Sequence, residues 1–268
     1  MPANITPDDY RVSGEKSALW FGFGVLAIIL LFVEIISAGI GLIVAVVGTA
    51  IVVWKRQSQY LGKCARVSEK QFPDIYSIAR EAATRLGMHQ PEVFIEQDPI
   101  LNAHAIGFMR KKSVVLHSAI AEAMDREELE FIIGHEFSHI KCGHTNLIVI
   151  TNAAEGVNVP VVTPVLSLVF LFWSRKAEYT CDRGGLLACR DPRSAISALC
   201  KLAVGPALFK QMDVDDFMDQ QTAITQNGMA KLSENLETHP YLVKRIHAIQ
   251  RFYESEQYER LTGTPRTK

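Results

Sequence analysis

Residues 135–139 have the sequence His-Glu-Phe-Ser-His, in which two histidines stand four positions apart and flank a glutamate. Side chains at i and i+4 lie on the same face of a helix, so His135 and His139 can bind a single Zn²⁺. Glu136 would then lie beside the open position of the metal, where it can take a proton from water. The pentapeptide therefore predicts a hydrolytic zinc site, with a helix bearing two surface histidines and a polar cluster as the alternative.

The residues around this motif have the pattern of an amphipathic helix. We expect the helix to begin at Asp125, because Glu128 follows three residues later in a capping-box arrangement. The helix is predicted to continue past His144, and about 140° of further rotation would turn that side chain away from the ligand face. A structural role is therefore predicted for His144. The predicted buried face consists of Leu129, Ile132, Ile133, Phe137 and Ile140.

A catalytic zinc usually has three protein ligands, so the motif requires one more. Glu178 is the candidate, because it lies in a segment with a helical setting, Ala-Glu-Tyr-Thr-Cys-Asp. Asp182 follows four positions later on the same face, from which its carboxylate could hydrogen-bond a ligand histidine. Cys181, between them, is predicted to be a small buried hydrophobic residue.

The composition excludes some classes of function and narrows the compartment. The 28 basic and 29 acidic residues nearly cancel, so no nucleic-acid partner is expected. The hydrophobic fraction of 48% is high for a soluble enzyme. The five cysteines show neither a CxxC motif nor paired spacing, which indicates reduced thiols in a domain that faces the cytosol.

Other periodic segments predict an α+β domain that is mostly helical and has a small β-sheet. A helix is predicted over residues 68–87, with Ser68 as its N-cap and Gly87 just past its end. This domain would cover residues 60–253 and end in a flexible tail at 254–268. Alternation of apolar and polar residues predicts short strands at 91–97, 102–108 and 113–117.

A long apolar segment, residues 19–53, contains a single charge, Glu34. As one helix it would be about 52 Å long, against a hydrocarbon core of about 30 Å. Two short transmembrane spans, 19–36 and 40–54, fit better and form a predicted hairpin over 19–54; the alternative is a buried hairpin in a soluble core. Basic residues flank both ends, so a cytoplasmic tail at 1–18 and a cytoplasmic catalytic domain are expected.

The order of the sequence blocks resembles that of the gluzincin peptidases, which include the bacterial membrane protease HtpX and the eukaryotic CAAX prenyl protease. Besides HExxH, the segments PEVFIEQDPILNAHAIG, SRKAEYTCDRGG and THPYLVKRI are similar to blocks of that family, over residues 91–245. Cys181 stands where the family usually has alanine. The resemblance implies a zincin-type metalloprotease domain with one Zn²⁺ per chain.

The resemblance also implies roles for individual residues. His135, His139 and Glu178 would be the zinc ligands, and Glu136 would be the general base and later the proton donor to the leaving amine. The implied substrates are membrane or misfolded proteins. The expected partners are a protein or peptide substrate and the lipid bilayer, and an oligomer is allowed. The alternatives are a dedicated CAAX-type processing peptidase and a non-enzymatic zinc-binding membrane sensor or scaffold, against which Glu136 and Glu178 argue.

The substrate side of the site rests on the resemblance alone. His239 would lie near the substrate carbonyl as an oxyanion stabiliser, with a helix-cap or packing role as its alternative. Arg245 would organise that segment. Asn102 and Ala103 would lie at an edge strand on which an extended peptide adds by backbone pairing, with a turn role as the alternative for Asn102.

A second apolar segment, residues 157–173, contains Pro160 and Pro164 and departs from the family pattern, which has two spans at this place. A single full crossing would leave Glu178 on the opposite side of the membrane from His135 and could not build one zinc site. We therefore predict that the segment re-enters the membrane or lies against it. A lid over the active site or a contact with a partner subunit is the alternative.

Overall fold

A computed structural model of the chain describes residues 5–37, 47, 48, 51, 55, 62–108, 111–146, 162–225 and 240–263. In these ranges the fold is mostly helical with one small mixed sheet, as the sequence predicts. A 3-10 turn, Pro7–Asp9, precedes the first helix. The helices are α1 (Glu15–Ser37), α2 (Pro73–Arg85), α3 (Ser118–Ala123), α4 (Arg126–Lys141), α5 (Val162–Cys189), α6 (Pro192–Val204), α7 (Pro206–Phe209), α8 (Val214–Thr225), α9 (Leu242–Tyr253) and α10 (Glu256–Thr262). The strands are β1 (Ala65–Arg66), β2 (Glu92–Glu96), β3 (Ala103–Phe108) and β4 (Lys111–His117).

The sheet has the strand order β1-β2-β4-β3, which leaves β3 at one edge. Strands β2 and β4 are parallel, whereas β3 pairs with β4 in the antiparallel sense, with Ala103 opposite Leu116 and Ala105 opposite Val114. The three predicted strands are confirmed as β2, β3 and β4, although β4 begins two residues earlier than predicted, at Lys111. The helix α4 packs against β3 and β4, so the motif lies behind the edge strand.

The beginning of α4 is as predicted, and its end is not. Asp125 and Glu128 form the capping box, each accepting a backbone N–H of the other at 2.9 Å. The prediction that the helix continues past His144 is wrong, because α4 ends at Lys141 and Gly143 adopts a φ of +82°. Glycine readily adopts this left-handed conformation and ends helices. The chain therefore turns, and His144 folds back toward the motif.

Glycines bring α4 and α5 into close contact. A Cβ at Gly184 would overlap Ser138 Oγ, and one at Gly185 would lie 2.8 Å from ring atoms of Phe131. Because neither glycine has a side chain, the α5 backbone lies directly on α4 at the level of the motif. This approach positions Glu178 and Asp182, two and one helical turns earlier in α5, beside the motif histidines.

The predicted helix over 68–87 is shorter than expected and begins at Pro73. Ser68 is not its N-cap, because Ser68 and Gln71 form a small backbone bridge with N···O distances of 2.8 and 3.1 Å. Proline suits the first helical position, where its missing N–H is not needed. Gly87, with a φ of +63°, follows the end of this helix as predicted.

The apolar segments differ from the predicted arrangement. Among the described residues, no helix has the length and apolar character that crossing a membrane requires. The predicted hairpin at 19–54 is thus not confirmed: α1 contains the first span, and most of residues 40–54 lie outside the described residues. Of the segment 157–173, the described part begins the unbroken helix α5, in which Pro164 lies in the first turn and does not interrupt it.

Both ends of the described chain pack onto the domain. The N-terminal segment, expected as a tail at 1–18, places Tyr10 in the core with no exposed surface. The prediction of a flexible tail at 254–268 is wrong for Glu256–Thr262, which form α10. Tyr258 of α10 is buried against Phe252, with ring centroids 5.6 Å apart, and this apolar contact holds the helix.

Candidate metal centre

Three side chains from two helices converge at the motif. His135 and His139 lie one turn apart on α4, and their Nε2 atoms are 3.3 Å from each other. The carboxylate of Glu178, from α5, places Oε2 3.6 Å from His135 Nε2 and Oε1 3.4 Å from His139 Nε2. All three side chains are buried. The structure therefore brings together the three residues that the sequence suggests as zinc ligands.

The separations between these atoms suit a zinc ion. Zinc binds histidine nitrogens and carboxylate oxygens at about 2.0–2.2 Å in tetrahedral geometry, so its ligand atoms lie about 3.3–3.6 Å apart. The observed distances between the three groups, 3.3, 3.4 and 3.6 Å, match that requirement. With these three residues as ligands, one position on the ion would stay open for a water molecule or a substrate oxygen.

Cys181 is the other potential metal ligand at this place. Its thiol and the ring nitrogens of His135 and His139 all lie within 4.8 Å of one another. Its Sγ, however, is 3.4 Å from Nδ1 of His144, which lies on the side of His139 that faces away from Glu178. Burial raises the pKa of the Cys181 thiol well above its usual value, so the group stays protonated in the protein without metal. Of the two side chains, Glu178 is therefore the one that lies beside the Nε2 atoms of both histidines.

Behind His135 lies a buried carboxylate that is paired with an arginine. Nδ1 of His135 is 3.1 Å from Oδ1 of Asp182. Arg245, in the first turn of α9, donates to both oxygens of Asp182, from Nε at 2.8 Å and from Nη2 at 2.6 Å. Burial alone would raise the pKa of Asp182, but Arg245 and His135 lower it below its usual value. We call this series, His135–Asp182–Arg245, the aspartate arm.

Behind His139 lies a second buried series that reaches the N-terminal segment. Nδ1 of His139 is 3.3 Å from Nδ1 of His144, and Nε2 of His144 is 2.9 Å from Oε1 of Glu15. Glu15 also accepts hydrogen bonds from Arg11 and from the hydroxyl of Thr180. Burial lowers the pKa of His144 to about 4, so this ring is neutral at pH 7. We call the series His139–His144–Glu15 the glutamate arm.

Sequence reasoning missed the glutamate arm. It predicted a structural role for His144 on the premise of an uninterrupted helix, and it placed Glu15 in a tail. Gly143 was the one available signal, because a glycine directly before His144 can end the helix and return that ring to the motif. Nothing in the spacing of Glu15 points to the site.

Glu136 lies between the two motif histidines in the sequence and faces the sheet. Its carboxyl is buried and is hydrogen-bonded by the backbone amide of Ala105 on β3. Burial raises the pKa of Glu136 above its usual value. In His139, burial would lower the pKa, but the neighbouring carboxylates of Glu178 and Glu136 raise it instead. The two carboxylates therefore favour positive charge at this histidine, which a bound cation would also supply.

The residues predicted on the substrate side are placed in part. Asn102 is exposed and directly precedes β3, and its carbonyl accepts the backbone N–H of His117 at 3.0 Å. Ala103 is the first residue of β3, the edge strand. His239 lies outside the described residues.

Comparison with known proteins points to one family of metallopeptidases. Residues 69–252 match Peptidase family M48. Plastoglobule-localized metallopeptidase 48, chloroplastic, from Arabidopsis thaliana is 31% identical, over 75% of this chain and 63% of the plant protein. A protease HtpX homolog from Streptococcus pyogenes is 28% identical, over 71% of this chain and 77% of the bacterial protein. This chain thus spans less than two thirds of the length of the plant relative.

Proposed function

Because the chain belongs to Peptidase family M48, we propose that it is a zinc-dependent endopeptidase, which hydrolyses peptide bonds by adding water. The observation that carries this proposal is the convergence of His135, His139 and Glu178 beside a buried Glu136. A purely structural zinc site would have four protein ligands and no need of a buried carboxylate next to it.

We assign one Zn²⁺ per chain to His135, His139 and Glu178. The distances between these three groups support the assignment, and the carboxylates of Glu178 and Glu136, which favour positive charge at His139, also favour a divalent cation. When bound, zinc would lower the pKa of a coordinated water to about 7 and would polarise the scissile carbonyl. The aspartate arm holds the ring of His135 with Nε2 toward this position, and Arg245 keeps Asp182 in place.

Glu136 is the proposed general base. Burial raises its pKa above the usual value of a glutamate, and a base with a pKa nearer to neutrality can both accept and return a proton. Glu136 would take the proton of the attacking water and then deliver it to the amine of the departing peptide. The amide of Ala105 restrains the carboxylate during both transfers. No side chain of the protein becomes covalently attached to the substrate.

We propose that the substrate binds as an extended strand along β3. Support comes from the position of β3 at the edge of the sheet, with one side not paired in the described sheet, and from the hydrogen bond between Ala105 and Glu136. Backbone pairing would start near Asn102 and Ala103 and carry the scissile bond past Glu136. His239 is proposed as a stabiliser of the oxyanion, and Arg245 as the residue that organises its segment.

Membrane or misfolded proteins are the proposed substrates, and α1 is the proposed contact with lipid. Large apolar side chains of α1 are 63–73% exposed: Trp20, Phe21, Ile28, Leu31, Phe32 and Ile35. Exposed apolar residues at this density mark an interaction surface. All five cysteines lie in described residues and are free, which supports a reducing, cytoplasmic setting for the catalytic domain.

Replacement of the general base tests the activity. Glu136→Gln preserves the size of the side chain but cannot accept the proton. We expect the variant to retain one zinc per chain and to cleave casein about 10²–10⁴-fold more slowly than wild type. Glu130→Gln is the matched control, since Glu130 is a buried glutamate of the same helix that pairs with Arg85. Similar cleavage by wild type and Glu136→Gln would refute the proposed role.

Vesicle binding tests the contact with lipid. The full chain should sediment with phosphatidylcholine vesicles, and Trp20→Asp combined with Ile28→Asp should reduce the bound fraction severalfold. Leu208→Asp serves as the control, because Leu208 is 61% exposed but belongs to α7. Equal binding by the two variants would contradict a role for α1.

A further inference from the structure

The glutamate arm links a proposed zinc ligand to a part of the chain that precedes the family match. Glu15 belongs to the first turn of α1, whereas the match to the family begins at residue 69. The side chain of Glu15 has no exposed surface, and that of His144 is 1% exposed. Burial of a carboxylate is costly unless it is paired and hydrogen-bonded. The contact with His144 helps to offset this cost for Glu15.

The hydrogen bonds of the arm determine which nitrogen of each ring carries a proton. An ionised carboxylate only accepts, so Nε2 of His144 donates to Glu15, and Nδ1 of His144 is left as an acceptor. Nδ1 of His139 can then donate to it across 3.3 Å. This leaves the lone pair of His139 Nε2 directed toward Glu178 and His135, which is the form that binds a metal.

Further contacts hold Glu15 in this position. Arg11 forms an ion pair with it, and the hydroxyl of Thr180 donates to its second oxygen. The same hydroxyl accepts the backbone N–H of Val12 at 3.0 Å. The ring of His144 also packs edge-on against Trp173 at 5.6 Å between centroids. The carboxylate is therefore anchored both to its own segment and to α5.

We infer that Glu15 is a positioning residue of the zinc site, which orients the ligand His139 through His144 and makes the N-terminal segment a working part of the metal centre. The inference rests on the proposed zinc site. Its rival is a purely structural ion pair that fastens the segment to the domain. The two differ in their effect on metal affinity, because a structural pair affects folding but leaves the ligand ring unchanged.

Zinc affinity of the full chain provides the test, measured by competition with a chromophoric chelator after removal of metal. Loss of a partner behind a ligand histidine typically weakens metal binding by about 10–100-fold, so we expect that change for Glu15→Gln. Glu130→Gln, the control, should stay within about threefold of wild type. Cobalt substitution adds a spectroscopic measurement: the visible bands should shift in Glu15→Gln and not in Glu130→Gln.

A second variant tests whether Glu15 acts through His144. His144→Asn retains an acceptor near the position of Nδ1 but cannot reach Glu15. It should weaken zinc binding as Glu15→Gln does. Because both substitutions break the same series, the double variant should bind zinc no less tightly than the single variant with the lower affinity. If Glu15→Gln does not fold, His144→Asn alone should still show the loss of affinity.

The outcomes separate this inference from the proposed function. Zinc affinity within about threefold of wild type in a folded Glu15→Gln or His144→Asn protein, with an unchanged cobalt spectrum, would overturn the inference alone. Effects that add in the double variant would also overturn it. A wild-type chain that does not bind zinc would overturn the proposed site and the inference together.

Discussion

The two arms support the two histidines in similar ways but are built from different parts of the chain. Each arm contains a buried carboxylate that pairs with an arginine, Asp182 with Arg245 and Glu15 with Arg11. The aspartate arm connects α4, α5 and α9 within residues 69–252, the part of the chain that matches the family. The glutamate arm includes an additional imidazole and depends on a segment that folds onto the domain from the N-terminal side. The aspartate arm is thus part of the domain core, whereas the glutamate arm would be lost if the N-terminal segment detached.

The largest expected effect concerns Glu178, the proposed zinc ligand that lies beside the two histidines held by the arms. Glu178→Ala should weaken zinc binding at least about a thousandfold, which corresponds to about 4 kcal/mol, because it removes one of three protein ligands. Cys181→Ala should leave the affinity within about tenfold of wild type, since its thiol lies on the His144 side. Zinc titration of both variants checks the prediction. A greater loss from Cys181→Ala than from Glu178→Ala would reverse the assignment.

Detachment of the N-terminal segment should affect one arm only. Tyr10→Ala removes a fully buried aromatic ring and should lower the free energy of unfolding by about 3–5 kcal/mol. It should also weaken zinc binding, because Glu15 loses its support. Tyr258→Ala is the matched control, a buried aromatic residue of α10 that packs against Phe252 and Tyr253 and belongs to neither arm. Chemical denaturation and zinc titration should therefore separate the two variants; an equal zinc affinity in both would argue against a role for the segment.

The aspartate arm should respond to a single charge removal. Asp182→Asn should weaken zinc binding by about 10–100-fold, since His135 loses its carboxylate and Arg245 loses its partner. Asp191→Asn is the control, because Asp191 caps α6 and serves neither arm. Combined with Glu15→Gln, the effects on the logarithm of the affinity should add, as the arms hold different ligands. Non-additive effects would show that the arms act as one unit.

The last expected effect is a pH dependence of stability outside the arms, at Glu130 of α4. Burial raises its pKa to about 7 from an unfolded value near 4.5, so protonation favours the folded state. The contribution is fully present below about pH 4.5 and is lost as the pH rises through about 7. In Glu130→Gln this decline should be absent when unfolding of the metal-free chain is measured from pH 5 to 8. The pKa of Asp182 is lowered, so its contribution to stability has the opposite pH dependence and is lost on acidification.

Much of the aspartate arm could be predicted from the sequence, because its relationships are local. His135 and His139 are one turn apart, as are Glu178 and Asp182, and helical periodicity places each pair on one face. The capping box at Asp125 is likewise a local signal and fixes where α4 begins. Arg245 was found only through resemblance, since no spacing relates α9 to α5.

The glutamate arm could not be predicted because it depends on tertiary structure. The arm forms because the backbone at Gly143 ends α4 and reverses the chain, which directs His144 back toward the motif. Glu15 is the first residue of an apolar helix, a position that ordinarily indicates a solvated end, and the packing of Tyr10 and the contacts with Thr180 bring it inside. Similarly, the prediction of a flexible tail was wrong at α10, because the burial of Tyr258 outweighs the polar character of its neighbours.

The position of the metal tests the central claim most directly. Crystals of the zinc-loaded full chain would be measured on both sides of the zinc absorption edge, and the anomalous difference map would locate the ion. We predict one zinc peak about 2.0–2.2 Å from Nε2 of His135, Nε2 of His139 and the carboxylate of Glu178. A peak bonded to Sγ of Cys181 in place of Glu178, or no peak at the motif, would contradict the assignment of this site.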